Sequence, residues 1–220
     1  MLKLIYSQTS ALNGWSEPEL LVVMGIQILL GGVIRMSIQP NMQRVMEEVR
    51  DGKLDFALTK PEDSQLLVSV RDVRIWRSVD ILAGALVLAY GIGDLEGGVD
   101  LRDAVLFAVM LAVGALTIYC FWLFITTSAF WIVSTWTIIE LFDGVYQTGR
   151  FPVSIYPGWL RFGVTFLVPI AFAITVPAEA VTSRLEWSTV ALALGFAATL
   201  FAFTRWWWGF GLRRYGGASA

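Results

Sequence analysis

Three carboxylates, Asp80, Glu140 and Asp143, stand inside stretches that are otherwise apolar. A charge at membrane depth is costly unless paired or hydrated, so each is a candidate carrier of an ion or proton in a secondary transporter or channel. Spacing also offers them a structural use. Arg77 precedes Asp80 by three positions, and Glu140 and Asp143 are one turn apart with Arg150 close behind. Residues at that spacing meet on a helix, which favours a local pair and a structural network over ion coupling. The chain has no His, and its one Cys, Cys120, lies in an apolar run. His-ligated metal sites, Ser–His and Cys–His nucleophiles and disulfides within the chain are thereby excluded, and no metal site is expected. No G-x-x-x-x-G-K-[ST] occurs, so these residues cannot cradle ATP phosphates themselves. The glycines of "GIGDLEGG" follow an apolar run and lack the acid that a dinucleotide fingerprint needs. No covalent chemistry is expected of this chain.

The bulk numbers say what must position these groups. Of 220 residues, 56% are hydrophobic and 15% charged, against about 25% charged in a soluble domain. The expectation is an all-α integral membrane protein, a single transmembrane domain over residues 1–220. A net charge of −2 gives no basic face for nucleic acid. The opening "MLKLIYSQTSALNGW" lacks the long apolar core of a signal peptide.

A crossing helix needs about 20 apolar residues. Candidates are Leu20 to Ile38 (capped by Ser16 and ended by Pro40), Ile75 to Ile92, Ala104 to Ile125, Ala129 to Tyr146, Trp159 to Val176 (broken by Pro169 and closed by Pro177), and Val190 to Phe210. Between Asn41 and Arg77 lie Arg44, Arg50, Lys53, Lys60, Arg71, Arg74 and Arg77, which places that segment in the cytoplasm. "GDLEGGVDLRD" has one Arg among four acids and belongs outside, whereas the tail "GLRRYGGASA" behind Trp206 to Trp208 belongs inside. Six full crossings would contradict these sides. Treating residues 150–178 as an outer re-entrant segment restores agreement, with a kinked full span as the alternative. Five full spans starting outside then lead us to expect an upstream spanning helix, six in all.

The segment between the first two spans stands out. Met42, Val45, Met46 and Val49 form one stripe of an amphipathic helix after Pro40, with Asn41 as its cap, Arg44 and Glu48 paired at i, i+4, and Gly52 ending it in the left-handed conformation. This reads as a helix lying on the cytoplasmic surface. Leu54, Phe56 and Leu58 follow at close spacing, rimmed by charge, and point to an exposed docking surface for another protein.

Two stretches, "RDGKLDFALTKP" and "GRFPVSIYPGWLR", in that order and with this span pattern, resemble the membrane subunits of type 2 ATP-binding cassette (ABC) transporters, in the bacterial branch whose ATPase is a separate chain. The likeness runs from "GWSEPEL" to the last span and implies a multi-pass permease of the inner (plasma) membrane, with a cytoplasmic C-terminus and an exporter's function. It assigns residues 41–61 as the coupling element that meets the ATPase, through Met46, Arg50, Gly52, Leu54, Asp55, Leu58, Lys60 and Pro61. It implies an outer gate at Arg150, Pro152, Tyr156, Pro157, Pro169 and Pro177. The implied partners are ABC ATPase subunits, which would hold ATP and Mg, and a second copy or paralogous permease, within the lipid bilayer. The family's amphipathic N-terminal helix and first span are expected to be missing here.

Overall fold

The computed structural model describes residues 12–59, 63–95, 98–131 and 136–215. Among them every element is helical, and four helices are long and apolar enough to cross a membrane, or five if one sharply bent pair counts as a span. Helix α1, Glu17–Arg50, is followed by the single turn α2, Asp55–Leu58, and by α3, Ser64–Ser69. A 3-10 turn, Ile75–Arg77, opens α4, Ser78–Gly93, and α5 is Leu101–Ser128. Then come α6, Trp136–Tyr146, the short α7, Gly158–Phe162, α8, Val176–Val181, and α9, Trp187–Leu212.

Two ends of the bundle are defined by hydrogen bonds distant in sequence. At one end Asn13 and Trp15 donate to Ser154, and Arg184 donates to the Gly14 carbonyl. At the other the Leu54 N–H donates to the Tyr215 hydroxyl, and Arg205 is paired with Asp63. The charged 41–77 segment and the tail thus share the Tyr215 end, as their Lys and Arg content predicts.

Pro40 does not end the first helix. A proline inside a helix removes one N–H and crowds the carbonyl four residues back. Here a wider π-helical turn, Ile34–Ile38, precedes it, and the freed Met36 carbonyl accepts from the Arg74 N–H at 2.9 Å. The helix therefore runs on through Gln39–Arg50, and the separate surface helix expected after Pro40 is corrected to an extension of the first span. Pro177 follows the same rule. The π-helical turn Ala171–Thr175 precedes it, and the helix continues to Val181 instead of closing at the proline.

The pair α1/α4 is held at unusually short range by glycines seven residues apart on each helix, Gly25 and Gly32 against Gly84 and Gly91. A methyl added at Gly25 would stand 2.5 Å from the Leu88 backbone nitrogen, one at Gly32 2.8 Å from that of Ile81, and one at Gly91 2.9 Å from that of Val22. Small residues permit such approach where lipid leaves dispersion contacts as the main attraction between helices. Helix α5 packs on α9 and on the 171–181 limb, where Gly114 abuts the backbone of Phe172 and Ala173.

The expected fourth span differs most. Its described helix, Trp136–Tyr146, has 11 residues, too few to cross alone. Phe130, edge-on to Tyr215, and Ser154, at the Trp15 end, nonetheless lie at opposite ends of the bundle, with α6 and two 3-10 turns among the described residues between them. The segments Gly158–Phe166 and Ala171–Val181 bend by 78° about Pro169. Arg161 donates to the Ser154 carbonyl and Arg184 to the Gly14 carbonyl, so the contacts at the two ends of this segment lie at the Trp15 end of the bundle.

The glycine seam gives a sign-specific prediction. Gly84→Ala pushes a methyl into the Leu29 backbone and is expected to destabilise by about 1–3 kcal/mol. Gly195→Ala, with nothing within 4 Å, is expected to be neutral or stabilising by up to about 1 kcal/mol through helix propensity. Thermal unfolding of both variants in detergent checks the contrast.

Candidate functional site

Past Pro40 the sequence builds a cap over the Tyr215 end. Helix α1 closes where Gly52 adopts a φ of +69°, letting the Lys53 N–H reach the Glu48 carbonyl at 2.7 Å, as the sequence predicts for Gly52. Asn41 is fully buried and acts as a clip in place of the expected helix cap. Its amide donates to the carbonyls of Ser37 (2.6 Å) and Asp72 (2.7 Å), while its oxygen accepts from the Asp72 N–H at 2.8 Å. Arg71 grips Glu48 with two hydrogen bonds of 2.8 and 3.1 Å, and the expected Arg44–Glu48 pair forms at 3.0 Å.

The same cap is bonded to α5 and α9. Asp63 caps α3 by accepting from the Leu66 N–H and is paired with Arg205 of α9, which also donates to Gln65. Gln65 and Ser69 both meet the Tyr119 hydroxyl of α5, at 3.2 and 2.8 Å, and Trp208 donates to the Ser64 hydroxyl. The Arg205 guanidinium beside Asp63 holds its carboxyl well below the usual carboxylate range. A depressed value means that the link is complete above the ordinary value of 3.8 and is lost only as pH falls below it.

Exposure corrects the docking expectation. Leu54 and Met46 are buried in the core and Leu58 is half-buried against it, so the apolar stripe seals the cap to the bundle. The side chains facing solvent are Arg50, Asp51 and Lys53 around the Gly52 turn, with Asp51 paired to both cations. Asp55 is half-buried; Lys60 and Pro61 lie outside the described residues, as does the Phe56 side chain.

The other predicted residues separate into two groups. At the Trp15 end, Pro152 is buried, Pro157 precedes α7, the Tyr156 hydroxyl donates to the Thr148 carbonyl, and Pro169 and Pro177 lie inside the bundle. The limb carrying Pro177 is core, with Ile170, Ala173 and Ile174 wholly buried. A cavity of about 490 Å³ opens beside it, lined by Ser16, Glu19, Asp94 and Arg184 among others. Arg184 holds Glu19 through two hydrogen bonds of 2.8 and 2.9 Å and lies over the Trp15 ring, a lock absent from the sequence reading. Of the acids, Asp80 pairs with Arg77 at 3.3 Å, as predicted, and also with Arg35 at 3.4 Å. Glu140, Asp143 and Arg150 are exposed, and no ion pair joins them among the described residues, which corrects the expected network. The structure brings no set of three His, Cys, Asp or Glu side chains together as a metal site among those residues.

What remains is a helical membrane bundle with an extended polar assembly, among the described residues, between its first two long helices. Compared with protein-family models, residues 1–219 match the family described as ABC-2 family transporter protein. The chain belongs to this family. Among curated proteins and solved structures, none matches. Membership makes the chain a multi-pass permease subunit of an ABC transporter and fits the all-α architecture, which the span pattern had predicted. In this ABC-2 family chain, the signals that sequence reading passed over were Arg35, an unremarked cation inside the first apolar run, and Arg184, whose acid lies 165 positions away.

Asn41→Leu would leave the Asp72 N–H and carbonyl without their partner, a loss of about 1–3 kcal/mol for a buried polar group. Faster amide exchange across residues 63–74, with the α1/α4 seam still protected, is the expected result.

Proposed function

We propose that this chain is the membrane half of an ABC exporter whose ATP and Mg sit on a separate ATPase, and that the ATPase contacts the exposed turn Arg50–Asp51–Gly52–Lys53 in the cytoplasm. One observation carries the reading: this turn projects from a cap that is hydrogen-bonded to α1, α5 and α9 together. A push on it enters α1 directly, and the hydrogen bonds of the cap connect it to α5 and α9. The permease would work beside a second copy or paralogous permease, with the 150–178 segment, including Arg150, Pro152, Tyr156 and Pro157, gating the Trp15 face on the outer side. Family membership supports the ATPase partner, and the shared location of the cationic 41–77 segment and the tail supports a cytoplasmic C-terminus.

The mechanism needs no chemistry from this chain. Hydrolysis on the partner would alternately press and release the cap. Tyr119, Arg205 and Tyr215 would carry that displacement into α5 and α9, and α5 abuts the buried limb of the re-entrant segment at Gly114. Asp80 serves in this reading as the counter-charge of Arg35 and Arg77, so ion coupling through Asp80, Glu140 and Asp143 has no converging site to support it.

Co-purification from membranes tests the reading. A P-loop ATPase is expected with the parent chain and is expected to fall about tenfold or more with Arg50→Glu/Lys53→Glu, while the variant keeps its elution volume and thermal midpoint. Leu54→Asp is unsuitable because it strikes the core. A chain that purifies alone and transports under an ion gradient without ATP would refute the proposal.

A further inference from the structure

At the Tyr215 end, the chain enters α4 through the stretch Val73 to Val79, and this entry turn joins two features seldom left open together. Ile75, Trp76 and Val79 are each exposed by about two thirds (71%, 67% and 65%), and Val73 by half. Beside them the cations outnumber their partners. Asp80 is shared by Arg35 and Arg77, and the Arg74 side chain makes no ion pair or hydrogen bond among the described residues. Arg71 is already spent on Glu48, and the half-buried Asp72 carboxylate is engaged by neither Arg74 nor Arg77. The backbone under this turn is fixed, since the Arg74 N–H is held by the Met36 carbonyl and Asp72 by Asn41.

We infer that Arg74 and Arg77, with the apolar strip Ile75–Trp76–Val79, form a binding site for the headgroup of an anionic phospholipid at the entrance of α4. The depth is right, because the long apolar helix begins at Ile75 and the polar cap lies immediately before it. A Trp at that level prefers the headgroup boundary, and guanidinium groups match phosphate oxygens with paired N–H donors. Charge complementarity selects the occupant: acyl chains cover Ile75 and Val79 while the phosphate answers the surplus cations. A zwitterionic lipid would cover the strip equally well and leave Arg74 unanswered. Arg35 backs the site from the π-helical turn of α1, keeping Asp80 from neutralising Arg77 alone.

The experiment uses the whole chain in nanodiscs of mixed phosphatidylglycerol and phosphatidylcholine, extracted into detergent, with the co-purifying lipid counted by mass spectrometry. The parent chain is expected to retain phosphatidylglycerol in preference. Arg74→Gln/Arg77→Gln is expected to lower that retention about fivefold for each charge removed. Arg74→Lys/Arg77→Lys preserves charge and is expected to keep most of it, which separates loss of the site from loss of the fold. Arg44→Gln, a cation of the cap already paired with Glu48, is expected to change nothing. Equal retention of both lipids by the parent, unchanged retention by the Gln pair, or an equal loss in Arg44→Gln would overturn the inference. Displacement by inorganic phosphate would assign the site to a free anion instead, and release of a second copy or partner chain by the Gln pair, with lipid unchanged, would assign the strip to protein contact. Either result refutes the lipid site.

Discussion

The architecture depends on a hydrogen bond that Pro40 cannot make. Because the imino acid has no N–H, it cannot bond the Met36 carbonyl four residues back, and Arg74 supplies a donor there. One residue on, Asn41 supplies three more hydrogen bonds, two of them to the same returning strand of chain. A helix interruption is thus converted into a socket. Into it the chain seats residues 71–74, and their position fixes where α4 enters and how the cap between the first two long helices is carried.

The glycine seam is the second constraint, and it acts on the first. With Gly25, Gly32, Gly84 and Gly91 letting backbones almost touch, α1 and α4 pack closely beneath the cap that joins them. Close approach also brings Arg35 to Asp80 across 45 positions and leaves Arg74 outside the pairing. In the proposed coupling, a closely packed pair with a polar head suits an element that receives a push, because close packing passes displacement from one helix to the other. The prolines of the other half work by the same physics: Pro169 bends its segment by breaking the helix outright, and Pro177 is tolerated inside one by a π-helical turn.

Several local features were legible from the residues: the long apolar helices, the left-handed Gly52, the Arg44–Glu48 and Arg77–Asp80 pairs, the break at Pro169, and the common end of the cationic loop and the tail. All follow from hydropathy, spacing or backbone chemistry within a few turns, or from a charge bias that acts loop by loop. Orientation of the apolar stripe was not legible. Met42, Val45, Met46, Leu54 and Leu58 carry the pattern of an amphipathic surface, and that pattern is the same whether the apolar side meets lipid, a partner or the bundle. The structure turns it inward, leaving Arg50, Asp51 and Lys53 as the exposed rim.

What the sequence determined by itself was class and chemistry: a helical membrane protein without histidine, without a phosphate loop, and with a charged insert between its first two long helices. Only the tertiary structure decided that Pro40 continues a helix, that Asn41 is a clip, that Glu19 belongs to Arg184, and that Glu140 and Asp143 stand apart from Arg150. The physical reason is range. Propensity and hydropathy act over a few residues along the chain, whereas a freed carbonyl or an unmatched guanidinium takes whichever donor or acceptor the fold brings within about 3 Å, from any distance in sequence.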